Sequence, residues 1–144
     1  MVDEGRVARL LRGIAERTDR LRLAAVSPEM PRPQLWLDGV KYLFVTTIEG
    51  CVDVAQHIAS SERYPAPDSN ADAIRLLGTR GVIDQALASS LGRAVGFRNV
   101  LVHQYAQVDD GIVLDALDQL DQFDSFVTQV SRWLRAQQRE QPGI

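Results

Sequence analysis

Four polar side chains interrupt an otherwise apolar run in the segment GFRNVLVHQY, residues 96–105. They are Arg98, Asn99, His103 and Tyr105. Arginine can hold two phosphate oxygens at once, and histidine can take up or release a proton near neutral pH. Such a pair suits cleavage of RNA without a metal. His103 would deprotonate a ribose 2′-hydroxyl or protonate the leaving oxygen, while Arg98 would stabilise the negative charge growing on phosphorus.

The spacing of these residues fits a single helix. On a continuous helix Asn99 and His103 are one turn apart, so that the amide could orient the imidazole or bind phosphate. Arg98 and Tyr105 are two turns apart on a neighbouring stripe. We therefore expect the four side chains to share one surface. Spacing alone leaves an alternative open, in which Arg98 pairs with an acid and the two rings lie at the rim of the core.

The first 33 residues predict an N-terminal helix followed by a proline-rich loop. Apolar residues recur at three and four positions up to Leu21, which is typical of an amphipathic helix packed on one side. Opposite them lies a stripe of four arginines, Arg6, Arg9, Arg17 and Arg20. A stripe of this kind is more often a solvated helix face than an RNA-binding track, and both interpretations remain open.

The rest of the chain also follows the helical period, and the sequence predicts an all-α bundle of about five helices forming one domain over 1–144. The second helix is predicted over residues 34–61, and the third over residues 71–77 with a cap at Ser69 or Asn70. The fourth helix is predicted to begin near Val82 and the last one after Asp110. We expect a frayed tail over 137–144.

Composition limits the possible classes of protein. Apolar residues make up 45% of the 144 residues and charged residues 24%, as in a soluble globular domain. Because the first residues lack the apolar region of a signal peptide and Cys51 is the single cysteine, we expect a cytoplasmic protein without membrane association. The net charge of −3 argues against a broad surface that grips DNA, so any RNA contact would be local.

A second group of polar residues lies on the long helix at one-turn intervals: Glu49, Asp53 and His57. A metal site could be drawn from them, but an acid and a histidine one turn apart are commoner as a surface pair. A third possibility is that they line a cleft beside Arg98. Neither a Walker-type nor a Rossmann-type glycine pattern is present, so we expect no metal, no cofactor and no nucleotidyltransferase activity in this chain.

The segment FRNVLVHQYAQVD resembles the HepT family of the HEPN superfamily, whose signature is R-x4-H-x-Y with a polar residue after the arginine. Arg98, Asn99, His103 and Tyr105 match that signature. The segment IEGCVDVAQHIAS of the long helix is also similar to the family. The likeness covers roughly residues 35–135, whereas the N-terminal part matches only in being helical.

This resemblance implies a homodimer that forms through the motif-bearing region, with two copies of the motif facing a shared cleft. It implies an RNase toxin of a toxin–antitoxin pair, with Arg98 and His103 as catalytic residues and Asn99 supporting them. The partner would be a minimal nucleotidyltransferase (MNT) antitoxin that silences the toxin by transferring AMP from ATP to Tyr105. The AMP phosphates would then neutralise Arg98 and block its phosphate seat.

A different class of function remains open beside this one. In it, the chain is a non-catalytic subunit, and the same cluster holds a nucleotide or serves only as substrate for the partner transferase.

Overall fold

The computed structural model describes residues 1–26, 33–104 and 107–140. These residues form helices and connecting turns without any strand, which confirms the predicted all-α class. The helices are α1 (Glu4–Ala25), α2 (Gln34–Ser61), α3 (Asn70–Thr79), α4 (Gln85–His103), α5 (Asp110–Ala116) and α6 (Asp121–Glu140), with a 3-10 turn at Leu117–Gln119. Among these helices, none has a stretch both long and apolar enough to cross a membrane.

Side-chain caps set where three of the helices begin. Asp3, Ser69 and Asp84 each accept a hydrogen bond from the backbone N–H three residues along, at 3.0, 3.1 and 2.7 Å. Each bond satisfies one of the free N–H groups in the first turn of a helix. The cap of α3 is therefore Ser69, one of the two candidates that the sequence offered.

Helix α1 lies against α2 and runs in the opposite direction. The backbone N–H of Asp3 donates to Nε2 of His57 at 3.0 Å and fixes the N-terminal end of α1 near the C-terminal end of α2. Further along, Ile14 approaches so closely that a Cβ on Gly50 would lie 2.9 Å from its Cγ1. This glycine lets the two backbones come together, so α1 contributes to the core although the family likeness did not reach it.

Helices α4 and α5 pack against the first half of α2. The rings of Phe44 and Phe97 meet edge to face, with centroids 5.5 Å apart. The Lys41 ammonium, whose side chain is only 5% exposed, lies 3.5 Å from a carboxylate oxygen of Asp110 at the start of α5. These contacts hold the C-terminal half of α4 beside the middle of α2.

The structure corrects two predicted limits. Helix α4 begins at Gln85 rather than near Val82, because Val82 and Ile83 are buried in the preceding turn and Asp84 is the cap. The predicted last helix is divided into α5, the 3-10 turn and α6, which gives six helices where about five were expected.

The C-terminal helix is longer than predicted. Helix α6 continues to Glu140, four residues into the tail expected to fray over 137–144, and the side chain of Gln138 donates to Glu4 at 2.7 Å. Residues 141–144 and the proline-rich loop over 27–32 lie outside the described residues.

The contact between α3 and α4 yields a prediction about stability. A Cβ at Gly78 would lie 2.5 Å from the Cβ of Ala88, so we expect Gly78→Ala to lower the free energy of unfolding by about 1–3 kcal/mol. Urea denaturation measures this. Gly39→Ala is the control, because nothing lies within 4 Å of its added Cβ and alanine favours helix by about 0.5–1 kcal/mol. Equal stability of the two variants would contradict the packing described here.

Candidate active site on helices α2 and α4

The guanidinium of Arg98 is held between α4 and α2. Its Nη2 donates to Oε1 of Glu49 at 2.7 Å, and its Nη1 donates to Oδ1 of Asn99 at 3.1 Å. The Arg98 side chain is 21% exposed and that of Glu49 is 43% exposed, so the pair lies at the edge of the core. Arg98 therefore pairs with an acid, which is the alternative that the spacing left open, and Asn99 lies beside it.

Arg98 has hydrogen-bonding capacity left over. A guanidinium carries five N–H donors, and two of them have partners among the described residues. The Nε atom is buried and has no hydrogen-bond partner in the described part of the chain. A buried donor without a partner is costly. The remaining Nη hydrogens, on a side chain that is 21% exposed, are the ones that an acceptor from outside the subunit could reach.

His103 is the last residue of α4 and is exposed. Five residues at roughly 100° each place its side chain about 140° around the helix axis from Arg98. No hydrogen bond joins His103 to Asn99 or to any other described residue. Within one subunit the guanidinium of Arg98 reaches Asn99, one turn before His103, but no contact among the described residues joins it to the imidazole. That the four side chains share one surface stays a prediction. Tyr105 lies outside the described residues.

The three polar residues of α2 have different surroundings. Glu49 contacts Arg98, whereas the Nε2 atom of His57 accepts the backbone N–H of Asp3 and so serves to anchor α1. The pKa of Asp53 is raised by burial and then by the negative charge of Glu49. No group of three His, Cys, Asp or Glu residues in the described ranges is arranged to hold a metal ion.

Exposed apolar side chains lie beside the Arg98–Glu49 pair. Val102 follows Arg98 by one turn of α4 and is 44% exposed, and Tyr42 precedes Glu49 by two turns of α2 and is 67% exposed. Large apolar side chains left in water next to a polar cluster are typical of a surface that contacts another protein.

A separate groove of about 590 Å³ opens on the other side of α4, between α2, α5 and α6. Phe44, Phe97 and Phe123 are among the residues that line it, and neither Arg98 nor His103 is. The sequence did not reveal this groove. Its walls come from four helices, and the residue pattern along one helix does not show how the helices are placed relative to one another.

Comparison with known proteins gives the site its context. The family model described as Ribonuclease HepT-like matches residues 31–130. The mRNA nuclease HepT of Shewanella oneidensis is 36% identical over 66 residues, which are 46% of this chain and 50% of that protein. The chain thus spans half the length of that relative.

Two solved structures have the same fold. A tri-AMPylated HEPN toxin of Shewanella oneidensis, in complex with an MNT antitoxin, is 25% identical; the match covers 92% of this chain and 99% of that one, with a TM-score of 0.82. YutE of Bacillus subtilis, a cytosolic protein of unknown function, is 16% identical; the match covers 99% and 96% of the two chains, with a TM-score of 0.84. The family model matches more than half of the chain, and the chain belongs to the ribonuclease HepT-like family.

Proposed function

We propose that this protein is a metal-independent endoribonuclease toxin of a toxin–antitoxin pair, with Arg98 and His103 as catalytic residues. The observation that carries the proposal is the guanidinium of Arg98, which Glu49 and Asn99 orient while other N–H groups stay unbonded within the described residues. This group lies on the same helix as an exposed histidine, in a chain of the HepT-like family.

The chemistry needs a base, an acid and a cation. In the proposed reaction a His103 imidazole takes the proton of a ribose 2′-hydroxyl, and that oxygen forms a bond to phosphorus. The bond from phosphorus to the 5′-oxygen breaks, and the leaving oxygen takes a proton from a water molecule, to which the protonated imidazole then returns one. Arg98 binds the phosphate oxygens, whose negative charge grows in the transition state. Asn99 supports Arg98 through their hydrogen bond.

We propose that the active unit is a homodimer. Because no contact joins Arg98 to His103 among the described residues of one subunit, a complete site in this proposal takes Arg98 from one subunit and His103 from the other. The exposed side chains of Tyr42 and Val102 support this proposal, since they lie beside Arg98 and Glu49 and would be covered when two motif-bearing faces meet.

The proposed control point is Tyr105, two residues after His103. An MNT-type antitoxin would transfer AMP to its hydroxyl. The tri-AMPylated toxin bound to an MNT antitoxin, which shares this fold, supports the idea. Each AMP adds a phosphate close to the motif, and these negative charges would compete with RNA for Arg98.

The second candidate function is a non-catalytic subunit that is only a substrate of the transferase. The ion pair between Arg98 and Glu49 favours it, because an arginine already paired with an acid can be structural.

Cleavage of RNA by the purified protein separates the two candidates. We expect His103→Ala to lower the rate by about 10²–10⁴, because it removes the general base. Arg98→Ala removes one transition-state donor and should lower the rate by about 10²–10³. Glu49→Gln should cause a smaller loss, because the guanidinium keeps a neutral acceptor. Single-turnover cleavage of a fluorescent RNA measures these rates.

Arg93→Ala is the matched control for these measurements. Arg93 is an exposed arginine of the same helix that bonds only to Ser89 within the described residues, so its removal should leave the rate unchanged. Equal rates for the wild type, His103→Ala and Arg98→Ala would rule out the nuclease and leave the non-catalytic subunit.

A mixing experiment tests whether two subunits complete one site. Arg98→Ala and His103→Ala proteins are each inactive, but a heterodimer of the two keeps one intact Arg98 and one intact His103 on opposite subunits. We expect co-refolded mixtures to regain a substantial part of the wild-type rate. A mixture as inactive as its components would show that both groups must come from the same subunit. Light scattering verifies the dimer in each sample.

The control point has its own test. Co-expression with an MNT-type nucleotidyltransferase should raise the intact mass of the chain in steps of AMP, and Tyr105→Phe should abolish the steps because it lacks the acceptor hydroxyl. Tyr42→Phe is the control, since Tyr42 is an exposed tyrosine on another helix. Persistent AMP steps in Tyr105→Phe would place the modification elsewhere.

A further inference from the structure

Four arginines of α1 form one basic flank of that helix. At roughly 100° per residue, Arg6, Arg9, Arg17 and Arg20 fall within an arc of about 80°, centred about 120° around α1 from its buried apolar face. We call these four residues the α1 arginine flank. Among the α1 arginines, Arg22 is the only one with a carboxylate of the described residues within 4.0 Å. The flank therefore carries four positive charges without an ion-pair partner in the described part of the chain.

The flank borders the side of α2 that carries Glu49, the residue that binds Arg98. A Cβ at Gly50, the residue after Glu49, would lie 3.8 Å from an Nη1 atom of Arg17. One turn later, the positive charge of Arg6 acts on Asp53 and lowers its pKa, against the larger raising effects of burial and Glu49. Arg17 thus lies close to α2 at the residue after Glu49, and Arg6 acts on Asp53 electrostatically without an ion pair within 4.0 Å.

The chemistry of the flank fits a polyanion better than a protein. From Arg6 to Arg20 the helix rises roughly 21 Å at 1.5 Å per residue. Over that length the flank exposes no large apolar side chain among the described residues, since the exposed Leu23 lies on another side of α1. Protein interfaces normally have an apolar centre, whereas a phosphodiester backbone is bound by spaced cations.

We propose that the α1 arginine flank binds backbone phosphates of the RNA strand on one side of the scissile bond. This inference rests on the proposed nuclease function and extends it to a second contact surface. It also assigns a role to α1, which lies outside the residues 31–130 that match the family model. The carboxylates that border the flank are Asp3, engaged as a helix cap, Glu16 and Asp19 on the outer side of α1, and Asp53.

The salt dependence of RNA binding tests the proposal. In the full chain carrying His103→Ala, the four flank arginines are changed to glutamine, and binding of an unstructured 30-nucleotide RNA is followed by fluorescence anisotropy. Each phosphate contact to a single strand contributes about 0.7 to the slope of log K against log salt. We expect the slope of the flank variant to be smaller in magnitude by up to about 3. Its affinity for the RNA at low salt should be about 100-fold lower than that of the protein with the arginines in place.

The control variant removes four charges from another surface. Arg12, Arg132, Arg135 and Arg139 are exposed and have no ion-pair partner among the described residues, and Arg12 and Arg135 border the groove between α1 and α6. Their change to glutamine gives the same net charge and should keep the wild-type slope. Changing the flank to lysine keeps its charge and should also keep most of the slope, which separates charge from folding. Thermal unfolding compares the stability of all variants.

The outcomes distinguish this inference from the proposed function. If the wild type neither binds nor cleaves RNA, both are overturned. If the wild type cleaves RNA and the flank variant matches the control in slope and affinity, only the inference is overturned. If the flank variant binds RNA as the wild type does but no longer co-purifies with a co-expressed antitoxin, the inference is also overturned. The flank is then a contact surface for the protein partner.

Discussion

The ion pair between Arg98 and Glu49 determines how the motif of α4 is presented. At 2.7 Å it joins the two helices that carry the polar residues, next to the edge-to-face contact of Phe44 and Phe97. A partly exposed ion pair contributes only about 0–1 kcal/mol to stability, so its main effect is on orientation. It keeps the guanidinium directed towards α2 and Asn99. In the proposed homodimer, a site that needs both groups takes the imidazole from the partner subunit.

The fold was predictable where apolar periodicity is continuous and is bounded by clear breakers. The predicted limits of residues 34–61 agree with α2, because one apolar face runs through the segment and prolines lie on both sides. The division of the last helix could not be predicted in this way. A 3-10 turn repeats every three residues, so Leu117 and Leu120 keep the spacing of an apolar helix face across the break.

The sequence proposes residues for the site but does not predict their contacts. Side-chain chemistry and the family motif both pointed to Arg98 and His103, and α4 does continue to His103. The contact of Arg98 with Glu49 depends on the rotation and height of α2 against α4, and spacing along one helix does not contain that information. The same limit applies to α1: its arginine stripe was evident, but its position beside Gly50 follows from the packing of two helices.

Glu49, which orients Arg98, and the nearby Asp53 oppose the binding of a phosphate. Glu49 and Asp53 are one turn apart, and their repulsion contributes to the raised pKa of Asp53. A phosphodiester adds a further negative charge beside them, on a chain whose net charge is −3. The unpaired arginines of α1 are the nearest charges that can offset this repulsion. In the proposed complex, a strand that reaches both Arg98 and the α1 arginine flank gains enough attraction, whereas a short fragment that reaches only Arg98 does not. The arrangement that positions the catalytic arginine would thereby favour long single strands over small nucleotides.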